Sequence, residues 1–299
     1  MPATPETVIA AVDGSPPSTR AVRWAAAEAA RTGRALRLVS VHPWPVTAYP
    51  EGLVVAHQLR AGMRREARRA LSAAAAVVAE DHPDLPVTTS VLEGEVVPRL
   101  RAAGQDAALV VLGTRGRGGL AGLVLGSVAV GLATHSTTPV VVVRGTRAED
   151  PGVVAGLDGS GTDDPVLALA FAHAAATGGS VTATHAWGDF PPDGLHLDGA
   201  PTFEWAPLAE YARNLAERAV APWRDKYPDT TVVVDPARGV PAEVLRDRSE
   251  RAGLLVVGSH GRSRLAGLLL GSTTHAVLHH AACPVAVVPQ ARPNTGGTG

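Results

Sequence analysis

The sequence predicts an α/β fold built from two tandem open parallel five-stranded sheets, each with helices on both faces. Three observations lead to this prediction: an internal duplication, short strands that are apolar throughout, and segments of helical periodicity between them. The duplication is a constant offset of 145 residues, which leads from Asp13 to Asp158 and from Gly113 to Gly258. An offset that holds across both halves indicates two copies of one structural unit.

The predicted strands are apolar along their whole length, as expected for parallel strands that are buried on both faces. In the first half they span residues 8–12, 36–41, 87–92, 109–112 and 140–143, and in the second 153–157, 181–185, 231–234, 254–257 and 285–288. Helical segments between the first-half strands span residues 18–31, 57–81, 96–103 and 127–135. Strand and helix in regular alternation favour right-handed crossovers, with helices covering both faces of each sheet.

The second half repeats this order, and Asp163 or Asp164 can cap the helix that Pro165 opens. The duplication divides the 299 residues into a first domain, 1–146, and a second domain, 147–290, with 291–299 expected to be a disordered tail. The linker at 145–152 is short, so we expect the halves to lie against each other. Segments 43–56 and 188–207 hold many Pro, Gly and aromatic residues and are expected to be long loops over the carboxyl edge of each sheet.

The composition is that of a globular protein, with 45% hydrophobic and 18% charged residues. A formal net charge of −1 argues against a nucleic-acid-binding surface, which normally needs a basic excess. No uncharged apolar run approaches the length of about 18 residues that a membrane span requires. Cys283 is the single cysteine and no signal peptide is evident, so we expect a cytoplasmic protein without an intrachain disulfide.

A glycine-rich motif follows the fourth strand of each half. Gly113-Thr-Arg-Gly116, nine residues and Gly126-Ser127 are matched by Gly258-Ser-His-Gly261, nine residues and Gly271-Ser272. Ligands of open α/β sheets bind outside the carboxyl ends of the strands, where a helix start offers free N–H groups to a phosphate. Glycine lets the backbone approach an anion closely. A lone copy is often just a tight turn, but two copies with identical spacing favour a phosphate site.

Charged and hydroxyl side chains beside these loops suit a nucleotide. The Ser127 and Ser272 hydroxyls are expected to donate to phosphate and to cap their helices, and Arg115, Arg117 and Arg262 are expected to pair with phosphate. Asp13 and Asp158 end the first strand of each half. Carboxylates at these positions are able to accept hydrogen bonds from ribose hydroxyls or to help hold Mg²⁺.

The glycine motif, with the preceding Val-Asp-Gly-Ser and the following Cys-Pro-Val, resembles the nucleotide-binding branch of the universal stress protein family. The chain is similar to its tandem type over residues 5–290. The resemblance implies strand order 3-2-1-4-5 in each half and ATP at the carboxyl edge of both sheets. It also implies halves related by a pseudo-two-fold axis and paired through their last strands. A homodimer of whole chains is a further assembly that the sequence leaves open.

The resemblance also implies roles for individual residues of this chain. Those expected to contact ATP in the first half are Ala11, Asp13, Val41, Gly113, Gly116, Arg117, Gly118, Gly126, Ser127 and Val128. Those expected in the second half are Gly156, Asp158, Thr184, Gly258, Gly261, Arg262, Gly271, Ser272, Thr273 and Thr274. Ala129 stands where the second half has Thr274, so we expect the first site to bind more weakly by one hydroxyl donor, about 0.5–1.5 kcal/mol.

We therefore expect an ATP-binding stress-response protein whose nucleotide controls its conformation or its interaction with an unknown regulatory protein. A slow ATPase or nucleotidyl-transfer enzyme is one alternative, and an interaction module with vestigial sites is another. No Gly-x4-Gly-Lys-Ser/Thr loop and no Gly-x-Ser-x-Gly motif occurs, which argues against a Walker-type ATPase and an α/β-hydrolase.

The remaining conspicuous residues have structural interpretations. His275 and His279 are one helical turn apart, but without an evident third ligand a metal site is not favoured. His42 and His185 follow the second strands and are expected either to line the crevice or to be packed in the core. Cys283 is expected to be a small buried side chain.

Overall fold

The computed structural model describes residues 7–43, 52–116, 125–145, 152–188, 205–261 and 270–290. The first-half strands are β1 Thr7–Ala11, β2 Ala35–His42, β3 Val87–Glu93, β4 Leu109–Gly113 and β5 Val140–Val143, and its helices are α1 Pro16–Arg31, α2 Gly52–Asp81, α3 Val96–Gly104 and α4 Ser127–His135. The second-half strands are β6 Val153–Leu157, β7 Val181–Trp187, β8 Val232–Arg238, β9 Leu254–Gly258 and β10 Val285–Val288, and its helices are α5 Asp164–Thr177, α6 Ala206–Lys226, α7 Pro241–Ser249 and α8 Ser272–His280.

Each half contains a parallel five-stranded sheet of order 3-2-1-4-5, which confirms the predicted fold class. The two sheets join edge to edge, because β5 and β10 pair antiparallel and give one ten-stranded sheet of order β3-β2-β1-β4-β5-β10-β9-β6-β7-β8. The expectation that the halves lie against each other through their last strands is therefore confirmed.

The register of this join is symmetric. Val141 pairs with Ala286, and these two residues are related by the 145-residue offset of the duplication. The flanking pairs, Val142 with Val285 and Val140 with Val287, exchange with each other under the same offset. A pair of equivalent residues at the centre is what an isologous two-fold contact requires. The pseudo-two-fold axis thus passes through the Val141–Ala286 pair.

Two hydrophobic layers cover the sheet, and each runs across both halves. One layer, packed under α1, α2, α5 and α6, contains Val22, Leu71, Phe171 and Val220. The other, packed under α3, α4, α7 and α8, contains Leu100, Leu132, Leu245 and Leu278. All four residues of β5 and of β10 are buried, so the join lies in the interior of the molecule. Shared layers make the two halves one packing unit.

α2 begins at Gly52 rather than at the predicted residue 57, so residues 52–56 are helical and not part of a loop. Among the strands, the largest shift from a predicted boundary is in β8. The sequence predicts this strand over 231–234, whereas the structure continues it to Arg238. Pro236 lies inside the strand and lacks the N–H that a ladder needs. The residue is accommodated because β8 is an edge strand, and among the described residues no strand pairs with one side of its backbone.

Several predictions fall outside the described residues. These are the domain boundary at 146/147, the tail 291–299, most of the expected cover loops 43–56 and 188–207, and the site residues Arg117, Gly118 and Arg262. Within the part of the chain that the structure describes, no helix is both long and apolar enough to cross a bilayer.

Candidate functional site

A cavity of about 700 Å³ opens at the carboxyl end of the first-half sheet. The ends of β1, β2 and β4 and the start of α4 form its walls. The predicted residues that line it are Ala11, Asp13, Val41, Gly113, Gly116, Gly126, Ser127 and Val128. The topology thus brings together the described part of the predicted first site, because parallel strands end at one edge of the sheet.

The motif glycines are needed for different reasons. A Cβ on Gly113 would lie 2.6 Å from the Pro17 carbonyl carbon and 2.7 Å from its oxygen, so glycine here allows α1 to pack against β4. A Cβ on Gly116 would lie 2.5 Å from Asp13 Oδ2. Gly116 therefore lets the loop backbone come up to the Asp13 carboxylate at the crevice.

The start of α4 is held in place by the loop that precedes it. The Gly126 N–H donates to the Thr114 carbonyl at 2.7 Å, and in the second half the Gly271 N–H donates to the Ser259 carbonyl at 2.9 Å. The helical bonds begin at Val130, whose N–H donates to the Gly126 carbonyl. The N–H groups of residues 127–129 have no helical acceptor, as is general for a first turn. Each half thus presents a fixed set of N–H donors at its crevice.

The expected capping role of the two serines is wrong. Gly126 and Gly271 are the N-cap residues, with φ of −84° and −63°, and neither cap has a side-chain hydrogen bond. Ser127 and Ser272 are the first helical residues and are exposed. A residue inside the helix cannot supply the N-cap geometry. Their hydroxyls lie at the mouth of the helix, where an anion would bind.

The two strand-end aspartates shape tight turns. Asp13 Oδ1 accepts from the Ser15 N–H at 2.9 Å and from its hydroxyl at 2.7 Å. In the second half Asp158 Oδ1 accepts from the Ser160 N–H at 2.7 Å, whereas Asp158 Oδ2 is buried without a hydrogen-bond partner in the described residues. The intervening Gly14 has φ of 80°, a conformation that favours glycine. One carboxylate oxygen of each aspartate holds its turn, and the other lies beside the glycine loop, near Gly116 in the first half and Gly261 in the second.

The second half brings its predicted residues together in the same way. A Cβ on Gly261 would lie 3.9 Å from Asp158 Oδ2, and a Cβ on Gly271 would lie 3.5 Å from the Gly261 nitrogen. A Cβ on Gly258 would lie 3.0 Å from Gln290 Nε2 and 3.1 Å from the His260 carbonyl oxygen. Strand end, glycine loop and helix start therefore meet here as they do in the first half.

Thr184 is not the counterpart of Val41. Thr184 pairs with Gly156 of β6, as Val39 pairs with Ala11 of β1, so Thr184 is the counterpart of Val39. The counterpart of Val41 is Ala186. The Thr184 side chain is buried and donates to Asp235 Oδ2 at 3.2 Å. The residue assigned from the family resemblance is therefore two positions from the counterpart of Val41, on the same face of the strand.

The expected extra phosphate donor, Thr274, has another role. Its hydroxyl donates to the Gly258 carbonyl at 2.7 Å, and the residue is 3% exposed. A hydroxyl has one hydrogen to donate. Thr274 therefore fastens α8 to the end of β9, and its replacement by Ala129 does not remove a phosphate contact from the first site. Thr273 occupies the second position of α8, as Val128 does in α4.

Asp163, which with Asp164 was a candidate cap from the sequence, occupies the N-cap position of α5, but its side chain has a different role. Its carboxylate makes no cap bond to α5 but accepts from the Asp158 N–H at 3.0 Å and from the Gly159 N–H at 3.2 Å. The residue is 5% exposed. Burial, opposed by these hydrogen bonds and reinforced by the nearby Asp158 charge, raises the pKa of Asp163 to about 6. In the sequence, the one indication of this contact was a second acidic residue five positions after Asp158.

The conspicuous histidines and the cysteine divide between the crevice and the core. His42 lines the first cavity and is 6% exposed, and among the described residues neither of its ring nitrogens has a hydrogen-bond partner. His185 is buried, and its Nδ1 lies 3.0 Å from the Leu157 carbonyl oxygen. Cys283 is buried as expected, and burial raises its thiol pKa to about 12. An unreactive thiol follows, because the thiolate is the reactive form.

The histidine rings of α8 are tilted against one another. The His275 and His279 ring centroids are 4.7 Å apart. Burial and then the neighbouring His275, His280 and Arg144 lower the pKa of His279. Across the described residues no group of three or more His, Cys, Asp or Glu side chains is placed to hold a metal ion.

Comparison with known proteins agrees with this geometry. The model of the universal stress protein family matches residues 5–144 and 152–289. Universal stress protein Rv1996 of Mycobacterium tuberculosis H37Rv is 36% identical over 312 residues, covering 95% of each chain. Universal stress protein Rv2005c of the same strain is 35% identical over 294 residues, covering 95% of this chain and 97% of the relative.

The fold also has a solved counterpart of the same length. A crystal structure of a universal stress protein from Archaeoglobus fulgidus superposes with a TM-score of 0.69 and 17% identity, covering 96% of this chain and 99% of that one. This likeness concerns the fold, and the family model and the mycobacterial relatives concern descent. With two family matches that together span nearly the whole chain, this protein belongs to the universal stress protein family.

Proposed function

We propose that this chain is an ATP-binding regulatory protein with one nucleotide crevice in each half. The observation that carries the proposal is the pair of fixed helix starts at Gly126-Ser127 and Gly271-Ser272. Both lie at the carboxyl edge of the sheet, and each is joined to the preceding glycine loop by a backbone hydrogen bond. Free N–H groups and the positive end of a helix dipole stabilise phosphate charge.

The cavity is large enough for a nucleotide. Its volume of about 700 Å³ lies within the range of small-molecule sites. Val39, Val41 and Leu112 give it apolar wall area for a base, whereas Asp13 and Ser127 lie where a ribose and phosphates would meet polar groups. An adenine nucleotide fits this division into an apolar and a polar end.

Magnesium fits as a companion of the nucleotide rather than as a resident ion. Mg²⁺ is usually held by one or two carboxylates together with substrate phosphates. Asp13 and Asp158 are the carboxylates at the two crevices, and each uses one oxygen in its own turn. Bound Mg²⁺ would neutralise part of the phosphate charge beside them.

The regulatory part of the proposal follows from what the site would do on binding. The crevices are formed where loops meet helix starts, so a ligand that bridges these groups orders the carboxyl edge of the sheet. A partner protein that recognises the ordered edge would then distinguish the loaded from the empty chain.

Released nucleotide gives the first test. The purified chain is denatured, and the soluble fraction is analysed by mass spectrometry and compared with a mock purification. We expect an adenine nucleotide, and we expect added Mg·ATP to raise the melting temperature of the stripped protein, since a ligand bound only by the folded state stabilises it. Absence of nucleotide together with an unchanged melting temperature would contradict the proposal.

A further inference from the structure

The two crevices share a scaffold but not their charge. Positions related by the 145-residue offset place Ser18 at the start of α1 and Asp163 at the start of α5. Ser18 lines the first cavity. The same place in the second half therefore carries a carboxylate where the first half carries a neutral hydroxyl.

The Asp163 carboxylate is inside the crevice wall rather than on its surface. It is 5% exposed, and its two oxygens accept from the N–H groups of Asp158 and Gly159. The Asp158 carboxylate lies nearby, and its Oδ2 atom is buried without a hydrogen-bond partner in the part of the chain that the structure describes. Two carboxylates thus lie at the back of the second crevice, against Asp13 alone at the corresponding place in the first.

Other charged groups do not cancel this difference. Glu66 lines the first cavity, but it is exposed, so water and salt screen its charge. The sequences of the two glycine loops contain the same number of arginines, namely Arg115 and Arg117 in the first and Arg262 and Arg264 in the second. A buried charge is screened much less than that of the exposed Glu66, so Asp163 sets the electrostatic difference between the crevices.

We infer that the two crevices prefer different ligands: the first takes the triphosphate, and the second favours an adenine compound with fewer phosphate charges. The inference rests on the proposed function, since it assigns ligand classes to the same sites. A negative charge fixed next to a polyphosphate lowers its affinity, and the loss grows with the number of phosphates. AMP or adenosine loses less affinity at the second crevice than ATP does.

Reciprocal substitutions in the full chain test the inference. ATP and AMP are titrated calorimetrically, without added divalent cation, into the nucleotide-free wild type and into the variants Asp163→Ser and Ser18→Asp. We expect two ATP sites in the wild type that differ in affinity by at least about tenfold. Asp163→Ser should tighten the weaker site toward the stronger one, and Ser18→Asp should weaken the stronger site. The AMP affinities should change much less.

Asp164→Asn is the matched control. It removes a carboxylate one residue away, but Asp164 is exposed and accepts from the Trp223 indole. We expect this variant to leave both ATP affinities unchanged. Should Ser18→Asp fail to fold, as circular dichroism would reveal, Asp163→Ser alone decides the question.

The experiment distinguishes a failure of the inference from a failure of the proposed function. Two ATP sites of equal affinity in the wild type, or a difference that persists in Asp163→Ser, overturn the inference and leave the proposed function standing. No ATP binding at either site overturns both.

Discussion

The glycines of the loop do not all serve the ligand. A Cβ on Gly113 would clash with the backbone of Pro17. A Cβ on Gly126 would have the Thr114 carbonyl oxygen as its nearest neighbour, at 3.4 Å. The first position is therefore a packing requirement, and the second leaves room for a methyl group. Sequence alone groups both under one motif, because a pattern of glycines does not tell which atoms would meet a Cβ.

This distinction predicts different costs for the same substitution. Gly113→Ala should lower the free energy of unfolding by about 2 kcal/mol or more, since a Cβ at 2.6–2.8 Å forces backbone shifts. Gly126→Ala should cost less than about 1 kcal/mol, the loss expected at an N-cap. Urea denaturation of both variants measures the difference, and equal costs would contradict the assignment.

Asp163 gives the fold a specific pH dependence. Its pKa is raised from 3.8 to about 6 in the folded state. The folded state therefore binds this proton more tightly than the unfolded state does, so the stabilisation is full below about pH 4 and is lost as the pH rises through 6. Stability from this group is absent at pH 7 and above.

Asp163→Asn removes the titration. The free energy of unfolding of the wild type minus that of the variant should fall by on the order of 2 kcal/mol between pH 4 and pH 7. Asp164→Asn, which alters an exposed neighbour, should leave the corresponding difference nearly flat. Urea denaturation at several pH values measures both, and a difference for Asp163→Asn that rises with pH would contradict the raised pKa.

At the scale of elements, α1 and α5 meet across the pseudo-two-fold axis through a buried contact between Glu28 and His173. His173 Nδ1 lies 3.0 Å from Glu28 Oε2, and the two residues are 6% and 3% exposed. The Trp24 ring stacks on His173 at 5.9 Å, and Arg31 contacts the same Glu28 carboxylate. Burial raises the pKa of Glu28, but the contacts with His173 and Arg31 outweigh it and leave the pKa lowered.

The pair joins equivalent positions of the duplication, since 28 and 173 differ by the same offset. A half paired with a copy of itself would place Glu28 against Glu28 or His173 against His173. The observed contact is favourable only between a first half and a second half. Complementarity at the axis therefore selects the intrachain arrangement.

A double-mutant cycle tests this selection. His173→Glu should lower the free energy of unfolding by about 3 kcal/mol at pH 7, because it buries two carboxylates together. Glu28→His with His173→Glu restores an acid–base pair and should recover a large part of that loss. Trp24→Phe serves as a control that keeps an aromatic contact. Simple additivity of the two single changes would contradict a direct pairing role.

The helices and strands show where sequence reasoning succeeds. Their number, order and type followed from apolar runs and the repeat, and the strand order followed from the family resemblance. The placement of Thr184, Thr274 and Asp163 did not, because each depends on which atom a side chain reaches across the fold. Ala186 in particular could have been found by applying the 145-residue offset to Val41.

At the scale of the whole molecule, the two halves form one cooperative unit. The ten-stranded sheet is continuous, and both hydrophobic layers extend from one half into the other. The central Val141 and Ala286 are fully buried, so separating the halves would expose apolar surface on both.

Differential scanning calorimetry of the nucleotide-free chain should therefore show a single unfolding transition, with a calorimetric enthalpy close to the van't Hoff value. Val141→Asp, which buries a charge at the axis, should lower the temperature of that whole transition. The exposed substitution Val233→Asp, on edge strand β8, should lower it much less. Two resolved transitions in the wild type would contradict the shared core.

The most direct measurement of the central claim is the number of ATP molecules bound per chain when one helix start is made anionic. Ser127→Asp and Ser272→Asp place a carboxylate where phosphate would lie, while favouring the helix dipole, so the fold should be retained. Equilibrium dialysis with Mg·ATP should give two ATP per wild-type chain, one for each single variant and none for the double variant, with Ser→Asn controls unchanged. Retention of two ATP by the double variant would contradict the account.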